Sequence, residues 1–250
     1  RNPNVAYVEG DAQAFAVEDE LVWGADRLEA DLVWGGAQGA VSIVPGRPTG
    51  KGVRVAILDT GIDRTHPDLA GNYAGGVNFI TGGDPADDHG HGTHVAGIVG
   101  ALDNDAGIIQ LAPEASLYAL KVLDASGSGW YSDMIEAIQW CAANGIPVAS
   151  MSFGGTSDSA SLKSACDAAY AQNVLLIAAA GNSGAGTDTV LYPAKYDSVI
   201  AVAATDSGNN RASFSSTGPA VELAAPGVSI KSTIRGGGYQ AWSGTSMACP

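Results

Sequence analysis

Apolar positions along the chain fall into short runs separated by turn residues. The clearest is the β-rich segment Val53-Arg54-Val55-Ala56-Ile57-Leu58, which ends in Asp59-Thr60-Gly61. Further runs span Ser116–Val122, Pro147–Ser152, Val174–Ala180 and Val199–Ala204. Runs this short and this continuously apolar predict strands buried on both faces, as parallel strands are. Ser132–Ala143 and Ser159–Gln172 lie between them and predict helices, and Trp23 to Gly36 is also helical in composition. Strands alternating with helices predict an α/β fold, a parallel sheet with helices on its faces. Asp59 would then close a strand at its carboxyl end, where open α/β sheets gather their sites.

The punctuation is glycine-rich. Pro45-Gly46-Arg47-Pro48-Thr49-Gly50 reads as a loop, and Gly127-Ser128-Gly129, Gly154-Gly155 and Gly181-Asn182-Ser183-Gly184 fall at predicted strand ends. Glycines there close turns, and they also let an extended peptide backbone lie close. Ahead of the first long strand stand a strand candidate, Val5-Ala6-Tyr7-Val8, and an acidic linker, Glu18-Asp19-Glu20. No internal repeat is evident.

Composition narrows the picture. A chain of 250 residues holds one sizeable core. A net charge of −14 argues against nucleic acid and against an anionic membrane surface as partners. No apolar run approaches the roughly 18 residues of a membrane span. Cys141, Cys166 and Cys249 are too few for a disulfide framework and lack metal-ligand spacing. Cys141 and Cys166 fall on the two helices expected to pack side by side, so a disulfide between them is one possibility, with Cys249 left over. The start at Arg1 suggests a preceding segment.

Three of the four histidines crowd into Asp87-Asp88-His89-Gly90-His91-Gly92-Thr93-His94. The small apolar residues Val95-Ala96-Gly97-Ile98-Val99 follow, so the stretch reads as a loop entering a buried helix. Gly92 and Gly97 would permit close approach of another backbone. Zinc ligation fits poorly, because a helical pair wants i,i+4 spacing with a Glu between. A general base fits better, and it needs a nucleophile and an orienting carboxylate elsewhere.

Both are available. Asp59 in Asp-Thr-Gly, His91 in His-Gly-Thr-His and Ser246 in Gly-Thr-Ser-Met-Ala stand in the chain order Asp…His…Ser, with Asn182 in Gly-Asn. In these motifs the chain closely resembles the subtilisin-like serine proteases, whose triad order the general pattern records. The resemblance implies a three-layer α/β fold with a central, mostly parallel sheet. It implies Ser246 as nucleophile, His91 as general base, Asp59 as its orienting partner and Asn182 as an oxyanion donor. Gly127-Ser128-Gly129 and Ser152-Phe153-Gly154 resemble the family's two edge strands that hold an extended polypeptide substrate by β-pairing. Tyr131 resembles the aromatic lining an upstream pocket. Gly154 and Gly181 resemble walls of the pocket for the residue before the scissile bond, which implies broad, apolar-leaning specificity.

The loop Leu102 to Ile108 resembles the family's structural Ca²⁺ site. The carbonyls of Leu102, Ala106 and Ile108, the side chain of Asn104 and the carboxylates of Asp68 and Asp19 would be its ligands, and hard oxygen donors suit Ca²⁺. A second, weaker cation site from the carbonyls of Ala194, Tyr196 and Val199 is a further implication. Residues 1–17 resemble the tail of an inhibitory pro-region, which would act as intramolecular inhibitor and chaperone until self-cleavage near Val17-Glu18. Residues 18–250 then form a peptidase domain cut just after its catalytic serine, where the family continues a long helix. Met247 to Pro250 alone are too short to nucleate one. The expectation is a secreted, monomeric serine endopeptidase made as an autoprocessed precursor. The alternative is a silent fragment that binds peptide without turnover. An aspartic protease built on Asp59-Thr60-Gly61 and Asp206-Ser207-Gly208 would be all-β, and a dinucleotide module would need G-x-G-x-x-G after the first strand.

Overall fold

The structure, a computed structural model, describes residues 18–250. The candidate strand Val5–Val8 and the proposed pro-region tail lie outside the described residues. In chain order the elements are β1 (Asp19–Leu21), α1 (Trp23–Arg27), a π-helical turn (Asp31–Gly35), β2 (Arg54–Asp59), α2 (Pro67–Ala70), β3 (Tyr73–Asn78), α3 (His91–Gly100), β4 (Gly107–Ile109) and β5 (Ser116–Lys121). They continue with α4 (Tyr131–Ala143), β6 (Val148–Met151), α5 (Ala160–Ala171), β7 (Leu175–Ala179), β8 (Ile200–Thr205), β9 (Val221–Pro226), β10 (Ile230–Ile234), β11 (Gly238–Trp242) and α6 (Thr245–Ala248).

Seven strands form one parallel sheet in the order β3-β5-β2-β6-β7-β8-β9. Two small ribbons, β1-β4 and β10-β11, stand apart from it. The unbroken apolar character of β2 has a direct cause. Ala56 and Leu58 face a core shared with Met134, Ile138, Cys141, Leu162 and Cys166 of α4 and α5. Val55 and Ile57 face the opposite core, shared with Val95 and Ile98 of α3 and Met247 of α6. Both faces are covered from Val55 to Leu58, so no position between Arg54 and the strand end at Asp59 can be polar. This is the expected three-layer α/β fold.

The order also locates the crevice. From β5, on one side of β2, the chain crosses to β6 on the other side. Beside such a reversal the carboxyl ends of neighbouring strands lead their loops apart and leave a cleft. Asp59 closes β2 at that point.

The five predicted strands and the helices at 131 and 160 appear where the pattern predicts them, within a residue or two at each end, and the helix expected after the histidine loop begins at His91. Trp23–Gly36 is not one helix. Glu29 takes a φ of 58° and divides it into α1 and the π-helical turn. Cys141 and Cys166 do lie on neighbouring helices, but all three cysteines are free thiols buried in the core. The disulfide is therefore absent. Burial pushes the thiols of Cys141 and Cys166 up to about 12.

Candidate active site

Asp59 is fully buried at the end of β2, and its carboxylate meets Nδ1 of His91 at 2.7 and 2.9 Å. Oδ1 also accepts the Thr60 N–H at 2.7 Å. His91 opens α3, whose N-terminal turn is built by a second buried acid, Asp87. Oδ1 of Asp87 accepts the N–H groups of His89 and Gly90 and the Thr60 hydroxyl, and Oδ2 accepts the N–H and hydroxyl of Thr93. These bonds hold the Asp87 carboxyl below its ordinary range despite burial, which acts to raise it. Thr60 completes the link, since its hydroxyl also accepts the Gly92 N–H at 2.9 Å. Asp87 thus caps the helix and ties its first turn to the strand that carries Asp59.

Burial of the His91 ring lowers its pKa. The Asp59 charge and hydrogen bond, helped by Asp87, outweigh that and leave it above the ordinary histidine value. His94 behaves oppositely. It is buried, stacks on Trp242 at 4.4 Å and is lowered to about 4 by desolvation, so it stays neutral.

Gly92 and Gly97 are required where they stand. A Cβ on Gly92 would lie 2.2 Å from the Gly61 carbonyl oxygen, and one on Gly97 would lie 2.2 Å from Thr233 Oγ1. Both expected close approaches are present.

Ser246 sits in α6, a single turn rather than the absence of helix that its position near Pro250 suggested. The Gly181 N–H donates to Thr245 Oγ1, and Cys249 and Met247 are buried beneath, so packing stabilises a turn too short to form alone. The hydroxyl of Ser246 donates to the Ser152 carbonyl at 3.0 Å, and the Ser152 hydroxyl returns a bond to the Ser246 carbonyl at 2.9 Å. No hydrogen bond joins Ser246 to His91 among the described residues. Asn182 is fixed in orientation. Its Oδ1 accepts the Thr245 N–H and hydroxyl at 2.9 and 3.0 Å, which leaves Nδ2 as the free end beside Gly244.

Gly127–Gly129 and Ser152–Gly154 are not strands of any sheet. They are irregular segments at the carboxyl ends of β5 and β6. Ser128 turns its own N–H and carbonyl back onto Asp124, while the backbone of Gly129 finds no partner among the described residues. Gly154 and Gly181 converge on one side chain that the sequence reading missed. A Cβ on either would lie 2.7 Å from Leu191, which therefore fills the space between them. Nothing in the local pattern of Leu191 marks it. Tyr131 opens α4 half-buried, packs against the core and donates to the Ser157 carbonyl at 3.0 Å.

In the loop after α3, β1 pairs in parallel with β4 and so delivers Asp19 to the turn at 104–106. The Asp19 carboxylate accepts the N–H groups of Asn104, Asp105 and Ala106. Asp68 accepts from the Asn104 amide and the Ile108 N–H. Burial raises the Asp19 pKa, and neither acid has a salt-bridge partner among the described residues. No group of three or more His, Cys, Asp or Glu able to hold a metal occurs among the described residues. The carboxylates of Asp19 and Asp68, brought from β1 and α2 against the loop of Asn104, are a hard-oxygen donor set all the same. At the suggested second site, the Tyr196 carbonyl accepts the Val199 N–H at 2.9 Å.

A family model described as "Subtilase family" matches residues 50–250. The chain belongs to the subtilase family. It is 45% identical over 251 residues to the M-protease of Shouchella clausii (strain KSM-K16), a match that covers 100% of this chain and 62% of that protein. It is 46% identical over 254 residues to subtilisin E of Bacillus subtilis (strain 168), covering 100% of this chain and 64% of the relative. This subtilase chain therefore spans less than two thirds of either. Among solved structures, a cold adapted subtilisin-like serine proteinase superposes with a TM-score of 0.78 at 36% identity, covering 92% of this chain and 81% of that one.

Proposed function

We propose that this subtilase is a serine endopeptidase that cleaves extended polypeptides through Asp59, His91 and Ser246. The observation that carries the reading is the Asp59–His91 pair. A fully buried carboxylate held on Nδ1 fixes the tautomer in which Nε2 is free to accept a proton. The Ser246 hydroxyl exchanges its bond to Ser152 for one to His91 Nε2, gives up its proton and attacks the scissile carbonyl. The developing oxyanion is met by Asn182 Nδ2 and by the Ser246 N–H, which in the first turn of α6 has no intrahelical partner. His91 then protonates the leaving amine, and a water repeats the cycle on the acyl-enzyme. The unpaired backbone around Gly129 and Gly154 would pair with the substrate, and Leu191 would set the apolar wall of the specificity pocket between Gly154 and Gly181.

The same reading includes Ca²⁺ bound by Asp19, Asp68, Asn104 and the carbonyls of Leu102, Ala106 and Ile108. It also includes a secreted, monomeric enzyme first held inactive by residues 1–17 as the end of a pro-region. No helix among the described residues is long and apolar enough to cross a membrane.

A second reading, a silent peptide-binding subtilase, is favoured by one observation, the bond from Ser246 to Ser152 in place of one to His91. A biotinylated fluorophosphonate separates the two. An adduct mapped by mass spectrometry to Ser246 is expected. Intact protein with no adduct at Ser246 would sink the peptidase reading and leave the silent one.

A further inference from the structure

Lys121 ends β5 in register with Asp59 on β2 and Asn78 on β3, and its side chain is buried. Lysine is almost never buried unless its ammonium is fully paired, because desolvating the charge costs several kcal/mol. Here the pairing is complete. An ammonium has three N–H donors, and Nζ meets three acceptors: the Thr60 carbonyl at 2.7 Å, the Asp88 carboxylate at 2.6 Å and the Leu123 carbonyl at 3.0 Å.

Each acceptor belongs to a different part of the site. Thr60 directly follows Asp59. Asp88 lies in the turn that Asp87 folds into the start of α3, three residues before His91, and its own carbonyl is held by Arg235 at 2.6 Å. Leu123 leads into the loop of Gly127–Gly129, and its N–H, with that of Val122, binds the Asp59 carbonyl. No other side chain among the described residues bonds to all three segments. A sheet end that needed only packing would use an apolar residue, as Met151 does at the end of β6.

We propose that Lys121 is a positioning residue of the triad. Its ammonium sets the Asp59 strand end, the His91 turn and the segment leading to Gly129 in one mutual geometry. The inference rests on the peptidase reading for its effect on rate, but not for its effect on the Asp59–His91 bond.

Lys121→Met keeps the length of the side chain and removes the three donors. The expected result is a fall in kcat on a peptide anilide of about 10²-fold, the scale of a displacement near 1 Å. A changed downfield ¹H resonance of His91 Nδ1–H, which reports its bond to Asp59, is expected with it. A purely structural lysine would lower Tm while leaving kcat and that resonance unchanged below the transition, and this result would overturn the proposal. If Lys121→Met does not fold, Asp88→Ala cuts only the arm to the His91 turn. It should lower kcat with KM unchanged and move the resonance; no change in either overturns the proposal. Unsubstituted protein that turns nothing over would refute the peptidase reading, and the resonance alone would then decide the role of Lys121.

Discussion

Gly92→Ala is the sharpest test of how the acid and base are held. Gly92 is the second residue of α3, and an added Cβ would lie 2.2 Å from the Gly61 carbonyl oxygen and 3.1 Å from Asp59 Cβ. Ordinary contact begins near 3.4 Å. The carbonyl cannot retreat, because Gly61, at a φ of 108°, is itself wedged so that its own Cβ position lies 2.4 Å from the Pro85 carbonyl oxygen. The start of α3 must therefore withdraw by about 1 Å, carrying His91 away from a 2.7 Å bond. Overpacking costs about 1–3 kcal/mol, and replacing a helical glycine returns about 1. The net loss of stability is thus small, and at about 2–4 °C per kcal/mol Tm should fall by only a few degrees. Rate is far more sensitive, since a 1 Å misplacement costs about 10²-fold. Steady-state kcat/KM on a peptide anilide, with Tm by calorimetry, measures both. Gly238→Ala is the control, because its Cβ would meet only Ile234 side-chain atoms at 3.5 Å. If Gly92→Ala leaves kcat/KM within a few-fold of the parent at unchanged Tm, the close-approach argument is wrong.

Other substitutions and conditions follow from the same geometry. Because Asp59 holds the His91 pKa above its ordinary value, the acid limb of kcat/KM should lie above pH 6.5; Asp59→Asn should move it lower and cost about 10⁴ in kcat, the loss seen for the equivalent change in a chymotrypsin-type triad. The stability carried by the charged pair has a definite sign: it is fully present below the unfolded pKa of 6.5 and lost as pH rises through the raised folded value, which denaturation of the Ser246→Ala protein across pH 5 to 9 would read. Asn182→Ala should lower kcat by about 10²–10³, the range known from subtilisin itself, with KM little changed. Chelation with EGTA should lower Tm, since calcium at a hundredfold above its Kd adds about 2.7 kcal/mol to the native state; an unchanged Tm would remove the calcium proposal. A thiol reagent should find no reactive cysteine in the native protein and three after denaturation, because all three thiols are buried and free.

What the sequence made legible divides by range. β2, β5 and β6 to β8 were readable because burial on both faces writes itself as consecutive apolar residues. β3, with its Gly75-Gly76, was not, and neither was β9, where Glu222 and Leu223 are exposed at the sheet edge. Their strand character comes from pairing with β5 and β8 rather than from their own residues. Asp59, His91, Asn182 and Ser246 were legible as motifs. Asp87, Lys121 and Leu191 were not, because each acts through partners distant in the chain, Thr60 for the first two and Gly154 for the third. A local signal for Asp87 did exist, since an acid shortly before a helix start is a cap candidate.

The two halves of the site differ in how firmly they are held. The Asp59–His91 half is over-determined: five hydrogen bonds converge on Asp87, and Thr60 and Lys121 each bridge strand and helix. The Ser246 half rests on one turn of helix, whose backbone is pinned by the side chains of Asn182 and Ser152 while the Ser246 hydroxyl is free to choose an acceptor. A serine hydroxyl moves between staggered positions at little cost. Its bond to Ser152 therefore measures the resting state and not a barrier, and catalytic bonds are commonly long or unmade before substrate binds. Substrate lying along Gly129 and Gly154 would compete for the backbone around Ser152 and exclude water from His91. The energy of that pairing is then available to turn Ser246 toward the imidazole, so the rigid half sets the direction of proton transfer and the substrate completes the geometry.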